Sequence, residues 1–169
     1  MQIGETAPDF ELPDLDGQPH TLAGLRGRIV IVNFWSCECP HAVRTDSSIM
    51  AWHQTWGEGV VLLAIASNAG ETMEAIAAAA RQRHLPFVLV DRQHRVADMY
   101  AALTTPQVFV VDGAGRLRYQ GAVDDTSFSQ RRPRRFFLHE AVQALLAGQS
   151  PQVLETRSYG CAIIREALE

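Results

Sequence analysis

Three cysteines, Cys37, Cys39 and Cys161, hold most of the reactive chemistry in this chain. Cys39 is followed by Pro40 and comes just after the apolar run Ile29 to Trp35. A β-branched run reads as a buried parallel strand, and proline suits the first turn of a helix. The Cys39 thiol is therefore expected where the C-terminal end of a strand meets a helix N-terminus. Ligands bind at that edge of an open α/β sheet, and the helix dipole there favours a thiolate. An ordinary cysteine has a pKa of about 8.5 and is only ~3% thiolate at pH 7. A helix N-terminus worth up to ~2 kcal/mol brings the pKa near ~7, raising the reactive fraction about tenfold. The alternative is an inert buried thiol, since free cysteine is among the most buried residue types.

The elements that must position these groups follow from periodicity. Phe10 to Leu12 and His20 to Leu22 flank the turn Asp16-Gly17, which predicts an N-terminal hairpin or extended arm. Strands are expected at 29–35, 60–66, 87–90, 107–111 and 117–120, the last two around the turn 112–115. Helices are expected at 40–56, with Ala42, Ile49, Trp52 and Trp56 on one stripe, and at 71–83, 94–102 and 135–147, the last stopped by Gly148. The order alternates in the middle and closes on a hairpin, so the sheet must be mixed. Residues 1–148 form the body. Residues 149–169 form an irregular arm of the same domain, carrying Cys161 and ending in a helix-like stretch from Ala162 to Leu168.

Composition narrows the function classes. The chain of 169 residues suffices for one domain with a full core, and 47% hydrophobic with 20% charged residues fits a globular protein. A net charge of −4 gives no general attraction to nucleic acid or to an anionic membrane. Arg131, Arg132, Arg134 and Arg135 form a basic cluster that reads as a solvated loop and helix start. The first residues lack a charged-then-apolar leader, and no stretch approaches a membrane span, so a cytoplasmic protein is expected. Few cysteines in a reducing compartment point to catalysis or metal binding rather than a disulfide scaffold. Cys37, Cys39 and His41 could suit zinc or copper(I), but the spacing is tighter than usual zinc motifs, so no metal and no cofactor is expected.

Four segments together resemble the redoxin branch of the thioredoxin-like fold, which includes thiol-disulfide oxidoreductases and peroxiredoxin-like proteins. They are Gly4 to Phe10, Val32-Asn33-Phe34-Trp35 with Cys39-Pro40, Thr104 to Asp112, and Tyr159-Gly160-Cys161-Ala162-Ile163. The resemblance covers nearly the whole chain. It implies an α/β fold with a mixed central sheet flanked by helices. It also implies a cis Thr105-Pro106 bond facing Cys39, with the Thr105 backbone available to a substrate's extended chain. Trp35, Pro40 and Pro106 would shape the docking surface. Asn33 stands where thioredoxins have a buried acid. Glu71 resembles an acid beside the thiols in some membrane-anchored relatives, although a charge complementing a helix N-terminus is the favoured explanation. Ser36 precedes Cys39 by three residues, as the hydroxyl does in the peroxiredoxin Thr-x-x-Cys motif, but Val32 replaces that motif's opening proline.

The departure of greatest consequence is Ala42, which stands where thioredoxins carry their second active-site cysteine. Disulfide exchange passes through a mixed disulfide that another thiol must resolve. Cys37 is a poor candidate, because one intervening residue allows at most ~7 Å between Cα atoms, near the disulfide limit. Cys161 has no such restriction, and on the chain-entropy account closing so long a loop contributes about 4.7 kcal/mol. Cys39 is therefore expected to attack and Cys161 to resolve. The alternatives are an external resolving thiol, or a Cys161 that merely anchors the arm. Three functions remain open. The first is a thiol-disulfide oxidoreductase acting on protein or small-molecule disulfides with an external thiol reductant. The second is a peroxiredoxin-like, antioxidant peroxidase acting on hydroperoxides. The third is a redox-regulated binding module or metal chaperone. Neither nucleic acid nor membrane is an expected partner.

Overall fold

The structure is a computed structural model and describes residues 1–166. A short hairpin of β1 (Glu11–Pro13) and β2 (Pro19–Thr21) leads through a 3-10 turn to β3 (Ile29–Trp35) and α1 (Pro40–Trp56). There follow β4 (Val60–Ala66), α2 (Met73–Gln82), β5 (Val88–Val90) and α3 (Arg95–Met99). The chain continues through β6 (Thr104–Thr105), β7 (Gln107–Val111), β8 (Leu117–Gly121) and α4 (Phe137–Leu146) to β9 (Cys161–Ala162).

The central sheet runs β5-β4-β3-β7-β8. β3 pairs parallel with β4 and antiparallel with β7, so it lies at the middle of a mixed sheet, as a run apolar at all but Asn33 predicts. Its side chains alternate between two cores. Val30, Val32 and Phe34 join a cluster with Val96, Ala97 and Tyr100 around α3. Ile31 packs on the opposite face with Ile49 and Trp56 of α1 and Leu138, Ala141 and Val142 of α4. A third cluster joins Trp35, Ala42, Ala64 and Ala66 to Ile76, Ala79 and Ala80 of α2.

Two boundaries move the site residues. α2 begins at Met73, with the Thr72 side chain accepting from the Ala75 N–H, so Glu71 lies outside the helix rather than in its first turn. The expected helix over 162–168 is corrected. Ala162 is strand and residues 163–166 are not helical, while residues 167 and 168 lie outside the described residues. The arm stays extended because the body supplies partners for its backbone. β9 pairs antiparallel with β6, the Ile163 N–H donates to the Leu103 carbonyl, and the Ile164 N–H donates to Asn68 Oδ1. Higher up, the arm crosses β8 at Gly121, whose φ is +138° and where a Cβ would stand 2.3 Å from the Thr156 carbonyl oxygen. Ile163 is buried in the α3-side core.

Candidate active site

Cys39 caps the N-terminus of α1 in an extended conformation, with Pro40 as the first helical residue. The loop before it is fixed by Ser36, whose Oγ accepts from the N–H groups of Cys39 (3.2 Å) and Glu38 (3.3 Å). Ser36 in turn donates its proton to Glu71 Oε1. Glu71 is buried and also accepts weakly from the Glu38 N–H at 3.4 Å. Among the described residues its other oxygen, Oε2, has no hydrogen-bond partner.

The Cys39 thiol donates to the Thr105 carbonyl at 3.1 Å, and its sulfur lies 2.7 Å from the sulfur of Cys161. Thr105-Pro106 is cis, and Thr105 is buried. The arm comes this close because residue 160 is glycine. A Cβ at Gly160 would stand 2.0 Å from the Thr105 carbonyl oxygen. Tyr159 packs edge-on against His41, ring centroids 5.0 Å apart, and so buttresses the arm against the first turn of α1. Cys39 is 2% exposed, because Cys161 covers it, while Cys161 itself is only partly buried.

Burial pushes the Cys39 thiol up, but hydrogen bonding outweighs it. The Cys161 thiol, the Thr105 side chain and the Ala42 backbone N–H at the helix start, all donors toward the sulfur, hold the thiol below its ordinary value. Burial and the neighbouring Cys39 push Cys161 up to about 11. Cys37 is also pushed up to about 11, by burial first and by the Glu71 carboxylate next. The side chain of Cys37 thus faces Glu71, while that of Cys39 faces Cys161 and Thr105.

Beneath this loop lies a charged support. Arg83 Nη2 donates to the Cys37 carbonyl at 2.6 Å, and Nη1 pairs with Asp46 at 3.0 Å. Trp35 Nε1 donates to the same Asp46 oxygen at 2.9 Å, and the guanidinium carbon of Arg83 lies 5.4 Å from the centre of the Trp35 ring. Burial raises the Asp46 pKa, against the opposing pull of Trp35 and Arg83. Sequence reasoning passed over this support. Asp46 falls four residues after Ala42 on the inward stripe of α1, and a carboxylate at a core position was the available signal. Arg83, at a helix end, carried none.

Of the residues singled out in the sequence, Trp35, Ser36, Cys37, Cys39, Pro40, Glu71, Thr105, Pro106 and Cys161 converge on one end of β3. Asn33 lies deep in β3, opposite Val108, and its Oδ1 lacks a partner among the described residues. The four-arginine cluster lies on the loop between β8 and α4, where Arg135 pairs with Glu140 at the start of α4.

This sheet order, with a cysteine at the N-terminus of the first long helix opposite a cis-proline strand, defines a thioredoxin-like redox protein. The AhpC/TSA family model matches residues 3–120, and the chain belongs to that family. A thiol-disulfide oxidoreductase ResA of Geobacillus thermodenitrificans is 33% identical over 120 residues, 70% of this chain and 68% of the relative. The crystal structure of a hypothetical protein from Sinorhizobium meliloti 1021 is 31% identical with a TM-score of 0.89, covering 99% of this chain and 97% of that one. Peroxidoxin BcpB of Mycobacterium tuberculosis, 23% identical with a TM-score of 0.60 over 70% of this chain and 83% of its own, shares the fold. The family match stops before the arm, whereas the Sinorhizobium structure matches almost the full chain. The arm carrying Cys161 lies outside the family match, as α4 does. No helix of the described residues is long and apolar enough to cross a membrane.

Proposed function

We propose that this thiol-disulfide oxidoreductase uses Cys39 as its nucleophile and Cys161 as its resolving thiol. The single observation that carries the reading is the 2.7 Å approach of the two sulfurs across the Thr105 carbonyl. The Cys39 thiolate attacks one sulfur of a substrate disulfide, the substrate S–S bond breaks, and the first substrate thiolate leaves. The Cys161 thiolate then attacks Cys39 in the mixed disulfide and expels the second substrate thiolate. The products are a reduced substrate and a Cys39–Cys161 disulfide, which an external thiol returns to the dithiol. Because Cys161 covers Cys39, the arm must swing aside for a protein disulfide to enter. With Cys161 displaced, the Thr105 backbone is open to pair with the extended chain of such a substrate.

Ser36 and Glu71 act as positioning residues. Their hydrogen bonds fix the backbone that presents Cys39, and the Glu71 carboxylate keeps the neighbouring Cys37 protonated. The Ser36 hydroxyl spends its proton on Glu71, not on the active thiol, which weighs against the peroxidase reading. The test is non-reducing peptide mapping after mild oxidation, alongside insulin reduction and hydroperoxide consumption. A 39–161 linkage with insulin turnover is expected. A 37–39 linkage, or external adducts alone, removes the resolving role of Cys161, and peroxide turnover lost in Cys39→Ser replaces the exchange reading with a peroxidase.

A further inference from the structure

The arm occupies the edge of β6 as an extended peptide would. β9 pairs antiparallel with β6, with Cys161 opposite Thr105 and Ala162 opposite Thr104. The Cys161 sulfur lies 2.7 Å from that of Cys39. One segment thus fills both the strand edge and the approach to the reactive sulfur. A disulfide substrate that pairs with Thr105 needs the same two places. It enters only where the arm has left, and the need to meet Cys39 sets it in the register the arm now holds.

The contacts of the arm then describe what that place accepts. Before the cysteine stands Gly160, whose φ lies outside the left-handed region, so its backbone shape is open to any residue. Glycine is required there by contact alone. An added Cβ would collide with the Thr105 carbonyl oxygen and stand 2.7 Å from the carbonyl carbon. Thr105 is 1% exposed and leads directly into β7, so this carbonyl has little room to give. Ala162, after the cysteine, is exposed. Two residues after the cysteine, Ile163 is 6% exposed in the core beside α3, with its N–H on the Leu103 carbonyl. Displacing the arm empties the place of Ile163, and an apolar side chain at the same position of a substrate refills it.

We propose that the disulfide substrates of this protein are extended segments of the pattern Gly-Cys-x-apolar, selected by the Thr105 carbonyl and by the place of Ile163. The inference rests on Cys39 as the nucleophile and does not need Cys161 to resolve. The Cys39 thiolate attacks the cysteine sulfur of the segment. A bond forms to Cys39, the S–S bond of the substrate breaks, and its other half leaves with the electron pair as a thiolate that takes a proton from water. A side chain in place of the glycine holds the segment off β6 and its sulfur away from Cys39. A polar residue in place of the apolar one leaves the vacated core site unfilled.

The test uses the full chain carrying Cys161→Ser, which traps adducts on Cys39. Three blocked peptides, Tyr-Gly-Cys-Ala-Ile, Tyr-Ala-Cys-Ala-Ile and Tyr-Gly-Cys-Ala-Asn, are each supplied as a disulfide with 2-mercaptoethanol. Intact-protein mass spectrometry separates attack on the peptide sulfur, which adds the peptide, from attack on the other sulfur, which adds a hydroxyethylthio group and serves as the internal reference. The ratio of the two rates should be about tenfold higher for the first peptide than for either of the others. An equal ratio for the glycine and alanine peptides, or for the isoleucine and asparagine peptides, overturns the proposal. Absence of both adducts removes Cys39 as the nucleophile and the proposal with it. Failure of the wild type to form the 39–161 bond removes only the resolving role, and the peptide ratios still decide the substrate class.

Discussion

Cys37 and Cys39 are separated by one residue and live in opposite chemical surroundings. Cys39 stands at the start of α1, where Ala42 offers a backbone N–H and where the Thr105 strand and the arm converge on the sulfur. Cys37 is turned toward a buried carboxylate, and its own carbonyl is tied down by Arg83. One environment lowers a thiol's pKa and the other raises it to about 11. The difference shows that reactivity here is assigned by backbone placement rather than by the cluster's composition. The Cys37 side is built to stay inert and hold the loop, so that the Cys39 side can react without distorting it.

The sharpest way to break this comparison is to remove each active sulfur. Cys39→Ser should reduce insulin turnover to background, while Cys161→Ser should accumulate a mixed disulfide on Cys39, visible as an added mass in intact-protein mass spectrometry. Equal loss from Cys37→Ser would erase the contrast. Next in size is the support under the loop. Asp46→Ala leaves Arg83 without its carboxylate and Trp35 Nε1 without its acceptor, both largely buried. A loss of about 3–5 kcal/mol is expected from urea unfolding. Asp46→Asn keeps an acceptor for Trp35 and should lose less.

Most of the architecture was legible because strand 60–66 is fully apolar, strand 29–35 is apolar but for Asn33, and helices 40–56 and 137–146 carry clear stripes. The position of Cys39 followed from the apolar run before it and Pro40 after it, and the cis bend at Pro106 from motif resemblance. The end of the arm was misread because Ala162 to Leu168 has the composition of a helix and no breaker. Its extended form is set by acceptors supplied from outside the segment, at Leu103 and Asn68, which local propensity does not contain. The Arg83 support was invisible for the same reason, since its partners come from β3, α1 and the cysteine loop. Glu71 read first as a helix-dipole charge, until Thr72 proved to be the cap.

Gly160→Ala probes the meeting point of the arm and the Thr105 strand with a smaller expected effect. The added methyl would collide with the Thr105 carbonyl, so the arm must shift outward. At an overpacking cost of about 1–3 kcal/mol, formation of the 39–161 disulfide should slow by roughly fivefold to 150-fold. Alkylation of Cys39 in the reduced protein should quicken, since the cover over it has moved. Slower disulfide formation without faster alkylation would mean that Cys161 is misplaced but does not act as a cover.

The smallest effect concerns pH and sets the two sides of the comparison against each other in one curve. Cys39 titrates below the ordinary thiol value in the folded dithiol protein, so its stabilising contribution is present above that ordinary value and is lost as pH falls through the lowered one. Cys37 and Cys161 titrate near 11, so their contributions are present below the ordinary value and are lost as pH rises through about 11. Urea midpoints of the reduced protein should therefore climb toward pH 9 and decline beyond it. Cys37→Ala should flatten part of the alkaline decline while leaving the acid-side rise in place, at an overall cost of about 1 kcal/mol. Cys39→Ser should remove the acid-side rise, and a loss of that rise in Cys37→Ala instead would move the perturbed thiolate to the wrong sulfur.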